Sequence, residues 1–338
     1  MKKRTLIASL LFVCYSISSV AQVTASRKID ALLQMIEYAY VDSSNQEKLA
    51  EDAIRAMLKD LDPHSVYIPA SELKETNEPL VGKFEGIGIQ FNIFEDTIMV
   101  TQPIPGGPSE KLGIRAGDRI VKIDGTNVAG VKLTNNDVFK KLRGDKGTKV
   151  NVAIYRRGEK ELLDFEITRD KIPLYSVDAS YMAEPGTGYI KISRFADSTV
   201  EEFKQALTKL KGEGMTSLIL DLSGNGGGYL NRAIELADEF LSDNKMIVYT
   251  EGRSNPKQEY LSSSVGGFEK GKLVVLIDES SASASEIVSG AIQDWDRGLI
   301  IGRRSFAKGL VQKPFTLPDG SAVRLTIADR KSTRLNSS

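Results

Sequence analysis

The sequence predicts an α/β core, preceded along the chain by a smaller β-rich segment and by a pair of helices. Three observations support this fold class. Residues 186–328 alternate apolar, β-branched runs with stretches of helical spacing. Residues 82–171 contain short strands with Asp-Gly turns, and residues 27–61 repeat apolar side chains at helical spacing. Alternating strands and helices favour a largely parallel sheet covered by helices.

Composition is that of an ordinary globular chain and excludes one class of partner. The 338 residues are 41% hydrophobic and 27% charged, with 45 basic and 45 acidic side chains. A chain of this length is expected to form two or three domains. Because basic side chains are not in excess, we exclude nucleic acid as a partner.

The amino terminus predicts export. A basic start at residues 2–4 precedes an apolar run at 6–14, which is typical of a secretory signal peptide over residues 1–21. The apolar run is shorter than a membrane-spanning helix requires. Val13 precedes Cys14, where a lipoprotein signal needs a small residue. We therefore predict a soluble periplasmic protein rather than a lipoprotein.

Residues 22–81 form a predicted N-terminal helical region. Apolar side chains recur at i, i+3, i+4 and i+7 on both sides of a polar turn at 42–45, which predicts a helical hairpin. The two apolar sets are Ile29, Leu32, Leu33 and Ile36, then Ile54, Met57, Leu58 and Leu61. Packing within the fold explains this stripe as well as contact with another subunit does.

Two further domains follow in the prediction. Residues 82–171 form a β-rich domain, with turns at Glu95-Asp96 and Asp124-Gly125 and one helical piece near 136–142. Residues 172–328 form the α/β core. Its predicted strands cover 188–193, 217–222, 246–251, 273–278 and 299–302, and its predicted helices cover 200–211, 229–241 and 283–295.

A glycine-rich turn, Ser223 to Gly228, follows the predicted strand at 217–222. Consecutive glycines let backbone N–H groups approach a reacting carbonyl oxygen, because no Cβ intervenes. A phosphate-binding loop is another common use of such a turn, but no G-K-[ST] sequence follows it. A plain turn at the start of a helix is the remaining alternative.

Ser283 lies where the predicted strand at 273–278 gives way to a helix. A hydroxyl there faces the unpaired N–H groups and the positive end of the helix, which favour the negative charge of acyl transfer. Such a serine needs a base. The single histidine, His64, lies in a Leu-Asp-Pro-His turn at the end of a helical pattern, so we predict a structural role for it.

Lys308 is the alternative base, provided that it loses its proton. A lysine with an ordinary pKa of about 10.4 is neutral in roughly one molecule in 2,500 at pH 7. Burial lowers such a pKa because it disfavours the ammonium. Apolar residues at 299–301, 306–307 and 310–311 are expected to bury Lys308, and Gln312 is placed to accept a hydrogen bond from its amine. An ordinary loop lysine is the alternative.

Two motifs give this pair a wider context. SASASEI at residues 281–287 and F-x-K-G-x-V-Q at 306–312 lie on either side of Asp294. In this arrangement the chain resembles the carboxyl-terminal processing, or tail-specific, proteases, a family of Ser/Lys peptidases. The resemblance implies that the α/β core is similar to the Clp protease and crotonase folds.

The resemblance also implies a role for each site residue. Ser283 would be the nucleophile, Lys308 the general base and Gln312 the residue that orients the lysine. Asp294 would have a supporting role. The oxyanion N–H groups would come from Gly228 or Gly227 and from the nucleophile's own segment at Ala284.

The pattern G-I-R-A-G-D-x-I-x-x-I-D-G at residues 113–125 resembles PDZ domains of bacterial proteases. Such domains add a peptide as a strand to a sheet edge and hold its terminal carboxylate on backbone N–H groups. The resemblance implies a carboxylate loop at Gly86, Ile87, Gly88 and Ile89, and a pocket shared with Val138 for apolar carboxyl termini. A spacer with a closed groove is the alternative.

Two positions and the chain's end depart from the family pattern. Ala307 stands where a glycine usually precedes the lysine, and it would be strained if that backbone needs a positive φ. Ser223 replaces the usual arginine after Asp221-Leu222. Residues 329–338 resemble translated sequencing adaptor, which predicts a non-native tail on a truncated core.

The leading hypothesis is an exported serine endopeptidase that recognises protein carboxyl termini and cleaves through an acyl-enzyme. A catalytically silent PDZ-bearing adaptor is the alternative, and a crotonase-like acyl-CoA enzyme leaves the PDZ-like segment unexplained. The resemblance implies no metal and no cofactor. It favours a homo-oligomer and permits peripheral contact with a membrane.

Overall fold

The computed structural model describes residues 24–242 and 244–332. The described chain divides into two compact units between Tyr67 and Ile68. The predicted signal peptide and the end of the predicted tail, residues 333–338, lie outside the described residues. No helix in the described ranges is long and apolar enough to cross a membrane.

The first unit contains the two helices that the apolar spacing predicts. They are α1 (Ala25–Ala39) and α2 (Gln46–Lys59), and the short strand β1 (Val66–Ile68) follows them. Asn45 begins α2 by accepting the N–H of Lys48 at 2.9 Å. His64 lies in a turn, where its N–H donates to Asp62 Oδ1 at 2.7 Å.

The second unit opens with a helix that the sequence patterns do not predict, α3 (Ala70–Val81). Pro79 lies inside it and weakens the helical pattern of its sequence. Gly82 ends the helix in the left-handed conformation, with φ 72°, and its N–H donates to Glu78 O at 2.9 Å. Strand β2 (Lys83–Gly86) then pairs antiparallel with β9 (Asp170–Pro173).

The β-rich domain is an antiparallel sheet with two short helices. The sheet order is β3-β4-β5-β7-β8, and β6 pairs with β5. Glu95 and Asp96 both have positive φ, as the two central residues of a tight hairpin require. The elements are β3 (Ile89–Phe94), β4 (Thr97–Pro103), α4 (Pro108–Lys111), β5 (Arg119–Ile123), β6 (Thr126–Asn127), α5 (Asn135–Leu142), β7 (Lys149–Tyr155) and β8 (Leu163–Thr168).

The α/β core is built on a sheet whose order is β10-β11-β12-β15-β16. The last four strands are parallel, and β10 pairs antiparallel with β11 at the edge. The strands are β10 (Val177–Glu184), β11 (Thr187–Ile192), β12 (Ser217–Asp221), β15 (Lys272–Ile277) and β16 (Leu299–Gly302). The helices are α6 (Thr199–Gly212), α7 (Leu230–Asp238) and α8 (Ala284–Asp294).

A further antiparallel sheet contains one strand that the alternating pattern places in the parallel sheet. This strand, β13 (Met246–Gly252), pairs instead with β14 (Asn255–Leu261) and with β18 (Ala322–Lys331). Strand β17 (Leu310–Thr316) pairs with β18 as a hairpin. The first three residues of the predicted tail, 329–331, therefore lie within a paired strand.

The core is densest around α8, because every residue of this helix except Gln293 is buried. A helix buried on all sides belongs to the interior of a domain. Phe203 of α6 and Phe240, just after α7, pack edge to face beside it, with ring centroids 5.5 Å apart. The start of α8, where Ser283 lies, is therefore attached to a helix that lies inside the core.

We expect Phe240→Ala to lower the free energy of unfolding by about 3–5 kcal/mol, because it removes a fully buried ring and leaves a cavity. Urea unfolding followed by circular dichroism measures the change. Phe315→Ala, which truncates a ring that is 43% exposed, is the control. Equal unfolding midpoints for the two variants would contradict this account of the core.

Candidate active site

Ser283 occupies a strained turn between β15 and α8. Its backbone has φ 54° and ψ −108°, a conformation that non-glycine residues rarely adopt. Such outliers persist only when the surroundings hold them, and they concentrate at functional sites. The residue is the N-cap of α8, and it is half-buried while the helix that follows is buried.

Asp278, at the end of β15, holds the first part of this turn. Its Oδ1 accepts the N–H groups of Ser280 and Ser281, each at 3.0 Å, and that of Gly224 at 2.9 Å. The bond from Gly224, followed by those from the two serines, lowers the pKa of the Asp278 carboxyl. The turn at residues 278–283, which we call the nucleophile turn after the predicted role of Ser283, is therefore joined to the glycine-rich turn at one carboxylate.

Asn225, which is fully buried, joins the same two turns a second time. Its backbone oxygen accepts the N–H of Ala282 at 3.0 Å and the hydroxyl of Ser285 at 2.9 Å. Its side chain accepts the N–H of Gly227 at 2.9 Å and donates to Ile192 O at 2.9 Å. Buried polar groups that are satisfied in this way fix one arrangement of the chain.

Gly227 and Gly228 are glycines because nothing larger fits. A Cβ on Gly228 would lie 2.1 Å from the backbone oxygen of Phe195. A Cβ on Gly227 would lie 2.9 Å from Ser283 Cβ and 3.0 Å from the backbone nitrogen of Ala284. The glycine-rich turn therefore lies directly against Ser283.

The candidate oxyanion donors are the N–H groups of Gly227, Gly228 and Ala284, and in the described chain only that of Gly227 already has an acceptor. The N–H of Gly227 donates to Asn225 Oδ1 at 2.9 Å, which favours Gly228 between the two predicted glycines. The N–H of Phe195 donates to Gly227 O, and Phe195 O accepts the N–H of Tyr229. The N–H of Gly228, which lies between Gly227 and Tyr229 in the chain, therefore points away from Phe195. Within the described ranges, the N–H groups of Gly228 and Ala284 have no acceptor.

Lys308 lies on the segment that leads from β16 into β17. Its Nζ donates to Gln312 Oε1 at 2.9 Å, which is the contact that the sequence predicts. The segment docks on the nucleophile turn, because the N–H of Phe306 donates to Ser281 O at 3.0 Å. The structure therefore brings the backbone segments of Ser283 and Lys308 together.

The predicted apolar cover over Lys308 is wrong in part. Phe306 is 58% exposed, and Leu299 and Ile301 are 66% and 51% exposed. Lys308 itself is half-buried. These apolar side chains are exposed because β16 is an edge strand and the segment after it lies on the surface. The local sequence pattern cannot reveal that β16 lies at an edge.

Glu286 is a site residue that the motif analysis missed. It is 9% exposed and accepts the N–H of Ser283 at 2.7 Å. It also accepts the N–H groups of Ala307 at 2.6 Å and Lys308 at 3.0 Å. The S-x-x-E spacing from Ser283 is a capping-box signal and would have identified its first contact.

The predicted supporting residue, Asp294, lies at the far end of α8 from Ser283. Asp294 is the last residue of α8, roughly 15 Å along the helix axis from Ser283.

Asp221 accepts the N–H of Ser223 at 2.8 Å and the hydroxyl of Tyr189 at 2.5 Å. Burial opposes ionisation of Asp221, but these bonds hold the pKa of its carboxyl below the ordinary value. Asp221 thus anchors the first residue of the glycine-rich turn.

The predicted carboxylate loop of the β-rich domain needs one correction. Ile87 and Val138 are 2% and 0% exposed and belong to the domain core, so they do not line an open pocket. Gly86 ends β2, and Gly88 has φ 75°. Ile89 begins β3, which in the described chain pairs with β4 alone and leaves its other edge open to an added strand.

Arg143, at the end of α5, forms an ion pair within the chain. Its Nη1 lies 2.5 Å from Glu78 Oε2, and its guanidinium lies over the rings of Phe84 and Phe139. Burial raises the pKa of Glu78, and the charge of Arg143 opposes that rise.

Three family models match this chain. Peptidase family S41 matches residues 186–334, and a PDZ domain model matches residues 99–156. The N-terminal domain of the activating protease CtpB matches residues 15–72. The three matches fall, respectively, on the α/β core, the β-rich domain and the N-terminal helices.

Curated relatives are similar over most of the chain. The carboxy-terminal processing protease CtpB of Bacillus subtilis is 37% identical over 307 residues, which cover 90% of this chain and 63% of the relative. A carboxy-terminal-processing protease of Bartonella bacilliformis is 37% identical over 302 residues, which cover 88% of this chain and 68% of the relative. The chain therefore spans about two thirds of the length of these relatives.

A solved structure shares the arrangement. The photosystem II D1 C-terminal processing protease is 30% identical, with a TM-score of 0.50 over 92% of this chain and 89% of that chain.

In the part of the chain that the structure describes, no group of three or more His, Cys, Asp or Glu side chains is placed to hold a metal.

Ala307 has φ 68°, so the backbone before Lys308 does adopt the conformation that strains an alanine. We expect Ala307→Gly to raise the free energy of unfolding by up to about 1 kcal/mol, because glycine adopts this φ without steric conflict. Thermal or urea unfolding measures the change. Ala206→Gly, within α6, is the matched control and should be destabilising; a lower midpoint for Ala307→Gly would contradict the strain.

Proposed function

Because this chain belongs to peptidase family S41, among the carboxy-terminal processing proteases, we propose that it is an exported serine endopeptidase with a Ser/Lys dyad. The observation that carries this proposal is the convergence of three segments at the start of α8. They are the nucleophile turn, the glycine-rich turn and the Lys308 segment, and buried or partly buried hydrogen bonds join them.

The proposed reaction is acyl transfer to Ser283. The neutral amine of Lys308, oriented by Gln312, takes the proton of the Ser283 hydroxyl as Oγ attacks the peptide carbonyl carbon. The N–H groups of Gly228 and Ala284 stabilise the oxyanion. Lys308 then gives the proton to the leaving amine. Water, activated by the same lysine, hydrolyses the acyl ester and restores the serine.

The proposed substrate is an unfolded protein or peptide with a free carboxyl terminus. The open edge of β3 supports this choice, because a terminal peptide adds there as a strand while the loop at residues 86–89 accepts its carboxylate. The signal-like amino terminus supports export to the periplasm. The test is digestion of an unfolded reporter with such a terminus, with the products identified by mass spectrometry.

The reporter separates the competing functions. Cleavage that disappears in Ser283→Ala supports the peptidase. Peptide binding without cleavage by a folded chain would instead favour a silent adaptor, and it would overturn the proposal.

We expect Lys308→Arg to lower kcat at least about 1,000-fold, because a guanidinium keeps the charge but cannot accept the serine proton. Steady-state cleavage of the reporter measures the change. Lys313→Arg, on β17 beyond Gln312, is the control and should cleave at the rate of the unsubstituted chain. Appreciable turnover by Lys308→Arg would exclude the dyad.

We expect a peptide with a free carboxyl terminus to be cleaved more efficiently than the same peptide with an amidated terminus. The amide removes the charge that the backbone N–H groups at residues 86–89 would hold, so the loss should be an increase in KM. Paired kinetics on the two peptides test this. Equal kcat/KM for both would count against carboxylate capture.

A further inference from the structure

The carboxylate of Glu286 accepts four hydrogen bonds from two separate segments of the chain. Its Oε1 accepts the hydroxyl of Ser305 at 2.8 Å and the N–H of Ala307 at 2.6 Å. Its Oε2 accepts the N–H of Ser283 at 2.7 Å and the N–H of Lys308 at 3.0 Å. One oxygen atom is thus shared by the backbones of the two dyad residues.

These contacts differ from an ordinary helix cap. A cap needs only the bond to Ser283. Glu286 also binds residues 305–308, a segment that follows β16 in the chain. All four donors precede residue 329. Arg330, within the predicted tail, adds to them: its Nη2 lies 3.6 Å from Glu286 Oε2 and donates to Lys308 O at 2.6 Å. A buried carboxylate with this many donors is strongly held, and its loss would leave the donors unsatisfied.

The strained backbone of Ala307 fits the same arrangement. Two successive N–H groups, those of Ala307 and Lys308, point at one carboxylate. A left-handed residue within such a pair produces the concave anion site that successive N–H groups form. The bonds to Glu286 therefore offset the steric conflict of the alanine and fix the direction in which the Lys308 side chain leaves the backbone.

We propose that Glu286 is a positioning residue that sets the base against the nucleophile. It exchanges no proton with the substrate and acts through the backbones of Ser283 and Lys308. By binding the N–H of Ser283, it also leaves the N–H of Ala284 as the donor that the nucleophile segment offers to the oxyanion. This inference rests on the proposed function.

The test compares two substitutions of Glu286 with a control from the same region. Glu286→Gln keeps the length but turns an amide NH2 toward donors. Glu286→Asp is one methylene shorter, so it can cap Ser283 but cannot also keep its second oxygen on Ser305 and Ala307. Glu279→Gln is the control, because Glu279 is exposed and binds the same segment from outside, through Arg303 at 2.9 Å. Each is measured by reporter kinetics and by hydrogen exchange.

We expect both Glu286 variants to lose about 100-fold or more in kcat, with KM within about threefold of the unsubstituted chain, because a displaced base impairs chemistry rather than binding. A residue that only caps α8 would be rescued by aspartate. Glu286→Asp at the full rate would therefore overturn the proposal, as would a Glu286→Gln variant that matches Glu279→Gln.

Hydrogen exchange tests the contact without using activity. In both Glu286 variants we expect amides at residues 303–310 to exchange at least about tenfold faster, while Glu279→Gln leaves them unchanged. Unchanged exchange in a folded Glu286→Asp variant would overturn the proposal. Absence of Ser283-dependent cleavage in the unsubstituted chain would remove the proposed function, and exchange would still decide whether Glu286 holds the Lys308 segment.

Discussion

The turn at Ser283 is the constraint on which the rest of the site depends. Its backbone conformation is unfavourable by itself, so it must be held from outside. Asn225 holds it from the glycine-rich turn, Asp278 holds it from the end of β15, and Glu286 holds it from α8. Because α8 is buried along nearly its whole length, these contacts are attached to a helix that cannot shift without disrupting the core.

Strain and burial are distributed unequally around this turn. Ser283, Ala307 and the two glycines beside Ser283 all have positive φ. Each is fixed by a hydrogen bond that its N–H donates to a buried polar side chain or by a close backbone contact. The base segment, in contrast, lies partly on the surface beside an edge strand. Its position therefore depends more on specific hydrogen bonds than on apolar packing, which gives Glu286 its importance.

The sequence predicts the elements whose signals are long and local. The strands that precede the glycine-rich turn and Ser283 lie within a residue of their predicted bounds, and the prediction of α8 and of the Gln312 contact holds. It does not predict features that depend on contacts between distant parts of the chain. The alternating pattern does not show that β13 joins another sheet, that Ile87 packs inward, or that the apolar residues before Lys308 face outward.

The central claim is that Ser283 is a nucleophile activated by Lys308. The most direct measurement is reaction of the purified chain with a fluorophosphonate at neutral pH, followed by mass spectrometry of its peptides. The account predicts one adduct, on the peptide that contains Ser283, formed with loss of fluoride and abolished in Lys308→Arg. An adduct on another serine, or equal labelling of Ser283 when Lys308 is arginine, would contradict it.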